Sequence, residues 1–134
     1  MTTPVSAPRE LSTSRRIFQR DIQLYAEASG DFNPIHVDPV FAAKGQFGGT
    51  IAHGMLVLAY VSELMTKGFG QAWLSGGRLR IRFKGAARPG DTLAIKAVRA
   101  DDAAVDGART VTYEVSCRND RDELVLEGQA IIVL

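Results

Sequence analysis

A short polar segment holds the residues best suited to chemistry. The run Ser29–Asp38, SGDFNPIHVD, contains Asp31, Asn33 and His36 within six residues. An aspartate and a histidine held close together can share one water and move protons to and from a substrate. Pro34 lies between them and restricts the backbone, which favours a rigid frame. The run indicates general acid–base chemistry, or alternatively Asx-type turns beside a histidine with only a structural role.

Other chemistries lack their sequence signatures. The chain has two histidines, His36 and His53, and one cysteine, Cys117. Three or four ligands at a recognised zinc spacing are absent, so we predict no metal site. The sequence contains no G-x-S-x-G nucleophile elbow and no glycine-rich phosphate loop. A single cysteine cannot form an internal disulfide, which favours a reducing, cytoplasmic location.

Length and charge exclude further classes. With 134 residues, the chain is predicted to form one domain over 1–134, with 1–10 as a flexible tail. Its 16 basic and 15 acidic residues leave a net charge of +1, which argues against general nucleic-acid binding. The polar start has no apolar signal region, and the longest apolar stretch, 51–65, is too short and too polar to span a bilayer. We therefore predict neither a nucleic-acid nor a membrane partner.

The periodicity of apolar residues predicts helices followed by strands. A helix is predicted from Asp21 to Gly30, and a longer one over 51–67 with Thr50 as its N-cap. The longer helix is apolar on nearly all sides, so it needs cover from several directions. Between the helices, 31–49 is predicted to be irregular, with a helical turn at 39–44. After residue 77 the pattern alternates, which predicts an antiparallel meander of four strands. A curved sheet wrapped around the helix, or a second subunit, would supply the cover.

Two motifs in this sequence resemble those of a known family. SGDFNPIHVDPVFA, followed by FGGTIAHGML, closely resembles the hydratase signature of the MaoC-like family, the (R)-specific enoyl-CoA hydratases. The matching positions are Gly30, Asp31, Asn33, Pro34, Ile35, His36 and Asp38 in the first motif, and Ala52, His53 and Gly54 in the second. The resemblance implies an α+β hot dog fold, in which an antiparallel β-sheet wraps a long central α-helix and dimers join their sheets edge to edge.

The resemblance also implies roles for individual residues. Asp31 and His36 would be the catalytic pair, and Asn33 would support their geometry. Gly54 would offer its backbone N–H to the thioester carbonyl, where negative charge develops as water attacks. Ser62 stands where the family often places a serine on the central helix, and it would bond the Asp31 segment. The alternative for Ser62 is a hydroxyl bonded within its own helix.

A stripe on the central helix is a candidate wall for the acyl pocket. Leu58, Ser62 and Met65 recur at spacings of four and three, so they share one helix face. Met65 is flexible and lies about one turn beyond Ser62, so its size is predicted to limit the acyl chain. The alternative is that Met65 belongs to the core and affects only stability.

Basic residues downstream are candidates for contacts with coenzyme A. Arg82, Lys84 and Arg88 would meet its phosphates, although an alternating basic row is more often a solvated strand face. The other histidine, His53, is interpreted as structural because it stands at the start of a helix.

The function that the resemblance implies is reversible hydration of trans-2-enoyl-CoA to (R)-3-hydroxyacyl-CoA by a homodimer. No metal or redox cofactor is expected, and coenzyme A enters only as part of the substrate. The alternatives are a 3-hydroxyacyl-ACP dehydratase of fatty-acid synthesis, an acyl-CoA thioesterase and a non-catalytic acyl-thioester-binding subunit. The presence of both Asp31 and His36 favours hydration over the last two.

Overall fold

One long helix and a five-stranded antiparallel sheet dominate the structure. The computed structural model describes residues 6–134. Its two long helices precede four strands, as predicted, and a further strand precedes the first helix. The elements are β1 (Glu10–Arg16), α1 (Gln19–Ser29), α2 (Pro34–Val37), α3 (Pro39–Ala43), α4 (Gly54–Phe69), α5 (Gln71–Gly76), β2 (Arg78–Phe83), β3 (Thr92–Val105), β4 (Ala108–Arg118) and β5 (Leu124–Val133).

The sheet has the strand order β1-β3-β4-β5-β2, and every neighbouring pair is antiparallel. Side chains on β3 and β4 alternate between buried and exposed, as expected for a sheet with one face on the core. Ala97 of β3 lies opposite Val115 of β4, and both are buried. The strands β1 and β2 form the two edges of the sheet. Because β2 pairs with β5 and not with β3, the predicted meander holds only for β3, β4 and β5.

The inner face of the sheet and α4 share one hydrophobic core. Val57, Val61 and Met65 of α4 are almost fully buried, in the same cluster as Ile95 and Ile132 of the sheet. Burying a side chain of this size contributes about 1.5–3 kcal/mol, which makes this contact the main support of the fold. A sheet wrapped around a central helix is the predicted hot dog arrangement.

The single cysteine lies inside this core. Cys117 is on β4 and has no exposed surface. Burial raises the pKa of its thiol to about 12, because a thiolate is unfavourable away from water. Since the thiolate is the reactive form, Cys117 is chemically inert in the folded protein.

The start of α4 differs from the prediction. The helix begins at Gly54 with His53 as its N-cap, and Thr50 does not cap it. Instead, the Thr50 hydroxyl donates to the side-chain oxygen of Gln19. Residues 51 and 52 belong to neither a helix nor a strand, and the Ile51 N–H donates to the Ile35 carbonyl at 3.1 Å. Apolar residues such as Ile51 and Ala52 are compatible with both a helix and a buried loop. We therefore attribute the later start of α4 to this hydrogen bond with the preceding segment.

The predicted tail is partly wrong. Residues 6–10 are attached to the body of the protein, and Glu10 already belongs to β1. Ala7 is buried, its carbonyl accepts a hydrogen bond from Arg99, and the Tyr113 hydroxyl donates to the Pro8 carbonyl at 2.7 Å. The remaining part of the predicted tail, 1–5, lies outside the described residues.

Two short helices were not predicted. Helix α2 forms within the segment expected to be irregular, and α5 follows α4 after a sharp turn at Gly70. Trp73 of α5 is buried and joins the core. Among the described helices, none is long and apolar enough to cross a membrane.

Candidate active site

Helix α2 presents His36 in a fixed orientation. Asn33 caps this helix, since its side-chain oxygen accepts the Ile35 N–H at 3.2 Å, and Pro34 occupies the first turn, where proline is favoured. The His36 ring is buried, with its Nδ1 2.8 Å from the Ile51 carbonyl oxygen. A carbonyl can only accept, so Nδ1 carries the hydrogen and Nε2 is left as the basic nitrogen.

Two glutamines of α1 hold α2 in place. Gln19 donates to the His36 carbonyl at 2.9 Å, and Thr50 in turn donates to Gln19 at 2.7 Å. Gln23 donates to the Val37 carbonyl at 3.4 Å. Sequence reasoning missed these supports, although the two glutamines stand four residues apart and therefore on one helix face.

Asp31 lies on an exposed turn directly after α1. Its N–H donates to the Ser29 hydroxyl at 3.2 Å, and its Oδ1 accepts the Asn33 N–H at 3.2 Å. The other carboxylate oxygen has no hydrogen-bond partner among the described residues. The Asx-type turn considered from the sequence therefore exists, and it leaves half of the carboxylate available.

His53 connects Asp31 to His36. Its Nε2 donates to the backbone carbonyl of Asp31 at 2.9 Å, and its ring stacks on that of His36 with centroids 3.9 Å apart. The Tyr25 ring also packs against the His53 ring, with centroids 4.7 Å apart and the rings tilted. A carboxylate oxygen of Asp31 and one ring nitrogen of each histidine lie within 4.8 Å of one another. The interpretation of His53 as structural did not predict this cluster. The sequence feature that could have indicated it is the position of His53 directly before Gly54.

The cluster has the residue types of a metal site but not the geometry. The planes of the two histidine rings differ by only 27°, and the rings are stacked. The lone pairs of such rings lie in two nearly parallel planes, whereas zinc requires nitrogens whose lone pairs converge on one point at about 2.0–2.1 Å. In addition, Nε2 of His53 is engaged as a donor to a carbonyl. The arrangement suits a water shared between a carboxylate and an imidazole better than a cation.

Gly54 supplies a hydrogen-bond donor beside the cluster. It is the first residue of α4, is exposed, and its N–H has no hydrogen-bond acceptor among the described residues. Free N–H groups at a helix N-terminus carry partial positive charge. A Cβ at this position would lie 3.1 Å from the Phe83 ring, so glycine keeps the approach to the N–H open.

Ser62 does not make the expected bond to the Asp31 segment. Its hydroxyl oxygen accepts a hydrogen bond from the Trp73 indole at 2.9 Å, which fixes α5 against α4. The indole is a donor only, so burying Trp73 requires such an acceptor. The structure therefore places Ser62 in the packing of two helices and away from the cluster.

The residues proposed as the pocket wall lie on the same face of α4. Leu58 is half-buried, and Met65 has no exposed surface and lies within the core cluster. We expect Met65→Ala to lower the free energy of unfolding by about 2–5 kcal/mol, because it removes buried methylenes and leaves a cavity. Denaturant titration measures this, and kcat/KM for short and long enoyl-CoA substrates is compared alongside. A changed preference for chain length, with stability unaltered, would identify Met65 as a pocket residue instead.

The basic residues fall into two groups. Arg82 alternates with Leu79 and Ile81, which pack against the core, so it lies on the outer face of the edge strand β2. Lys84 and Arg88 instead line a cavity of about 230 Å³ on the chain that follows this strand. The Arg88 guanidinium also donates to the carbonyl of residue 47, and its backbone N–H donates to Asp91. The structure thus brings Lys84 and Arg88 together and separates Arg82 from them.

Comparison with known proteins identifies the family. Residues 1–120 match the family model described as a MaoC like domain. The chain belongs to the MaoC-like family. This MaoC-like chain is 31% identical over 121 residues to the 3-hydroxybutyryl-CoA dehydratase of Methylorubrum extorquens. The match covers 88% of this chain and 73% of that protein. It superposes on an R-hydratase of Pseudomonas aeruginosa in the unliganded form with a TM-score of 0.81 and 28% identity, covering 95% of this chain and 80% of that one.

A much larger relative contains a similar region. The MaoC-like chain is 40% identical over 113 residues to the fatty acid synthase subunit beta of Aspergillus oryzae. The match covers 82% of this chain but only 5% of that protein. Together these similarities show a MaoC-like member of the hydratase and dehydratase group with the hot dog fold.

Proposed function

We propose that this protein catalyses the reversible (R)-specific hydration of trans-2-enoyl-CoA to (R)-3-hydroxyacyl-CoA. The observation that carries the proposal is the cluster in which an Asp31 carboxylate oxygen and a His36 ring nitrogen lie within 4.8 Å. One water can donate to or accept from both groups at that separation. The R-hydratase and 3-hydroxybutyryl-CoA dehydratase relatives support the reaction class and the stereochemistry.

The pair would act as general base and general acid in turn. Asp31 and the Nε2 of His36 hold the water, and one of them takes its proton as the oxygen bonds to C3 of the enoyl thioester. The proton is then delivered to C2, so that the elements of water add across the double bond. Dehydration follows the same steps in reverse. The proposed reaction uses only these side chains and needs no metal or redox cofactor.

Gly54 would stabilise the charge that forms during the addition. As water attacks C3, electron density moves onto the thioester oxygen and an enolate develops. A preorganised N–H at the start of α4 can bond this oxygen more strongly as its charge grows. The position of Gly54, directly after His53 of the cluster, supports this role.

The carrier of the acyl group is proposed to be coenzyme A. Lys84 and Arg88 line one cavity and are the proposed contacts for its phosphates, and Arg121 lines the same cavity. Arg121 already pairs with Asp91 and Glu123, so the less engaged Lys84 is the stronger candidate. Arg82, on the outer face of β2, would reach a phosphate only around the edge of the sheet.

The proposed function is tested with purified protein and trans-2-enoyl-CoA substrates of several lengths. We expect the absorbance of the conjugated enoyl thioester to fall, with or without a metal chelator, and chiral analysis to give the (R)-3-hydroxyacyl product. Free thiol is followed in the same reaction, because a thioesterase would release it. Thiol release without a hydroxyacyl product would contradict hydration, and activity confined to acyl carrier protein substrates would contradict coenzyme A as carrier.

We further propose that the active protein is a homodimer. Phe32, Met55 and Phe83 are large apolar side chains that remain exposed around the start of α4. Apolar patches at such a position are often covered by another subunit. We expect sedimentation at micromolar concentration to give twice the chain mass of 14.5 kDa. A species at the mass of one chain under those conditions would contradict the proposal.

A further inference from the structure

His53 is almost completely enclosed and contacts several residues of the candidate site. Its side chain is 2% exposed, and it contacts three residues of the site region: the Asp31 backbone, the His36 ring and the Tyr25 ring. It occupies the N-cap position of α4, but its side chain makes no hydrogen bond to the first turn of that helix. The ring therefore serves the residues beside it and not the helix that it precedes.

The hydrogen bond to Asp31 fixes the chemical form of the ring. The acceptor is a backbone carbonyl, so Nε2 of His53 must carry a hydrogen. The other nitrogen, Nδ1, is buried and has no hydrogen-bond partner among the described residues. With its Nε2–H committed to a carbonyl, His53 is placed to orient the Asp31 peptide.

We propose that His53 is a positioning residue for the hydration reaction, acting on the Asp31 peptide through its hydrogen bond and on the His36 ring through stacking. This inference rests on the function proposed above. Asp31 occupies an exposed turn after Gly30, which has the left-handed φ of 79°. Its backbone has few other anchors there: the N–H bond to Ser29 is long, at 3.2 Å. Without the bond from His53, the turn keeps only that bond and the bond from the Asn33 N–H to Oδ1 of Asp31, and we expect the carboxylate to shift.

The consequence for catalysis follows from the need for accurate placement. A displacement of about 1 Å in a reacting group can lower the rate by about 10²-fold. The loss should appear in kcat, because substrate binding does not depend on the direction of one carboxylate. A residue needed only for folding would instead lower the melting temperature and leave kcat per folded molecule unchanged.

Two matched substitutions separate the hydrogen bond from the ring. His53→Phe keeps a ring to stack on His36 but has no donor, and we expect its kcat to fall about 10²-fold with KM little changed. His53→Gln keeps an N–H donor with similar reach and loses the ring, and we expect it to recover the part of that loss that comes from the hydrogen bond. If kcat in His53→Phe equals that of the wild type, or if His53→Gln is equally impaired, the proposal is overturned.

A double-mutant cycle tests whether His53 acts through Asp31. Asp31→Asn removes the carboxylate but keeps the backbone carbonyl that His53 holds. In that background, His53→Phe should lower kcat little further, because the group that it positions is already disabled. If the double variant lost kcat by the product of the two single-variant factors, His53 would act independently of Asp31, and the proposal would be overturned.

A spectroscopic measurement distinguishes failure of this inference from failure of the proposed function. The chain has only two histidines, so ¹⁵N NMR of the ring nitrogens is readily assigned. We expect the Nε2–H form for His53 and the Nδ1–H form for His36 in the neutral rings. A wild type that hydrates no enoyl thioester would overturn the proposed function, whereas a His53 ring in the Nδ1–H form would overturn the bond on which the present inference depends.

Discussion

Replacing Asp31 by Asn, or His36 by Gln, should lower kcat for enoyl-CoA hydration by about 10²–10⁴-fold, the usual contribution of a general acid or base. Each change removes a group that exchanges protons but keeps its size and much of its hydrogen bonding. Oδ1 of Asp31 accepts the Asn33 N–H in the turn, and an asparagine oxygen can do the same. The two variants should therefore fold normally, as circular dichroism and melting temperature would show.

Asp38 offers a matched control in the same segment. It belongs to the matching motif but caps α3, where its Oδ1 accepts the N–H groups of Val40 and Phe41 at 3.1 Å. Asp38→Asn keeps an acceptor for that cap, so we expect a kcat close to that of the wild type. If Asp31→Asn and His36→Gln also turned over substrate at nearly the wild-type rate, the catalytic assignment would be wrong.

Gly54→Pro should lower kcat by about 10²–10³-fold, the usual cost of removing one oxyanion donor. Proline has no N–H, yet it is favoured at the first position of a helix, so α4 is expected to remain intact. The preceding residue must be extended, and His53 already has φ −59° and ψ 138°. The substitution thus deletes the proposed donor with little demand on the surrounding backbone.

Gly54→Ala is the control for the added bulk. Its Cβ would meet the Phe83 ring at the same 3.1 Å as that of proline, but it retains the N–H. We expect kcat of Gly54→Ala to exceed that of Gly54→Pro by at least about tenfold, a difference of roughly 1.4 kcal/mol in activation free energy. Equal values for the two variants would show that space, and not the donor, matters at this position. A rise in KM without a fall in kcat, in either variant, would indicate that the added bulk obstructs substrate binding.

Local features of this protein could be predicted from its sequence. Asp31, Asn33 and His36 are close along the chain, so their proximity in space needs no knowledge of the fold. The alternation of residues after 77 predicted the strands, because its period of two belongs to the strand itself. The family motifs then supplied the arrangement of helix and sheet, which the structure and the comparisons confirm.

Contacts between distant residues could not be predicted in this way. The stacking of His53 on His36 joins α2 to the residue before α4, and the hydrogen bond from Trp73 to Ser62 joins α5 to α4. Neither α2 nor α5 was predicted. Each contact depends on how the elements pack, and residue spacing carries no information on that. The start of α4 was placed too early for a related reason: Ile51 and Ala52 are apolar, and apolar residues are compatible with both a helix and a buried loop.

The burial of Cys117 makes the protein suitable for selective chemical labelling. Its thiol is the only one in the chain and is inert, so a thiol-reactive reagent should leave the folded wild type unmodified. A cysteine introduced at an exposed position, such as Ala94 on β3, would then be the single reactive site without removal of the native residue. Spin labels or fluorophores attached there would report the distance between two copies of the chain. The same inertness means that any dimer is held by non-covalent contacts, so it should persist in reducing buffer.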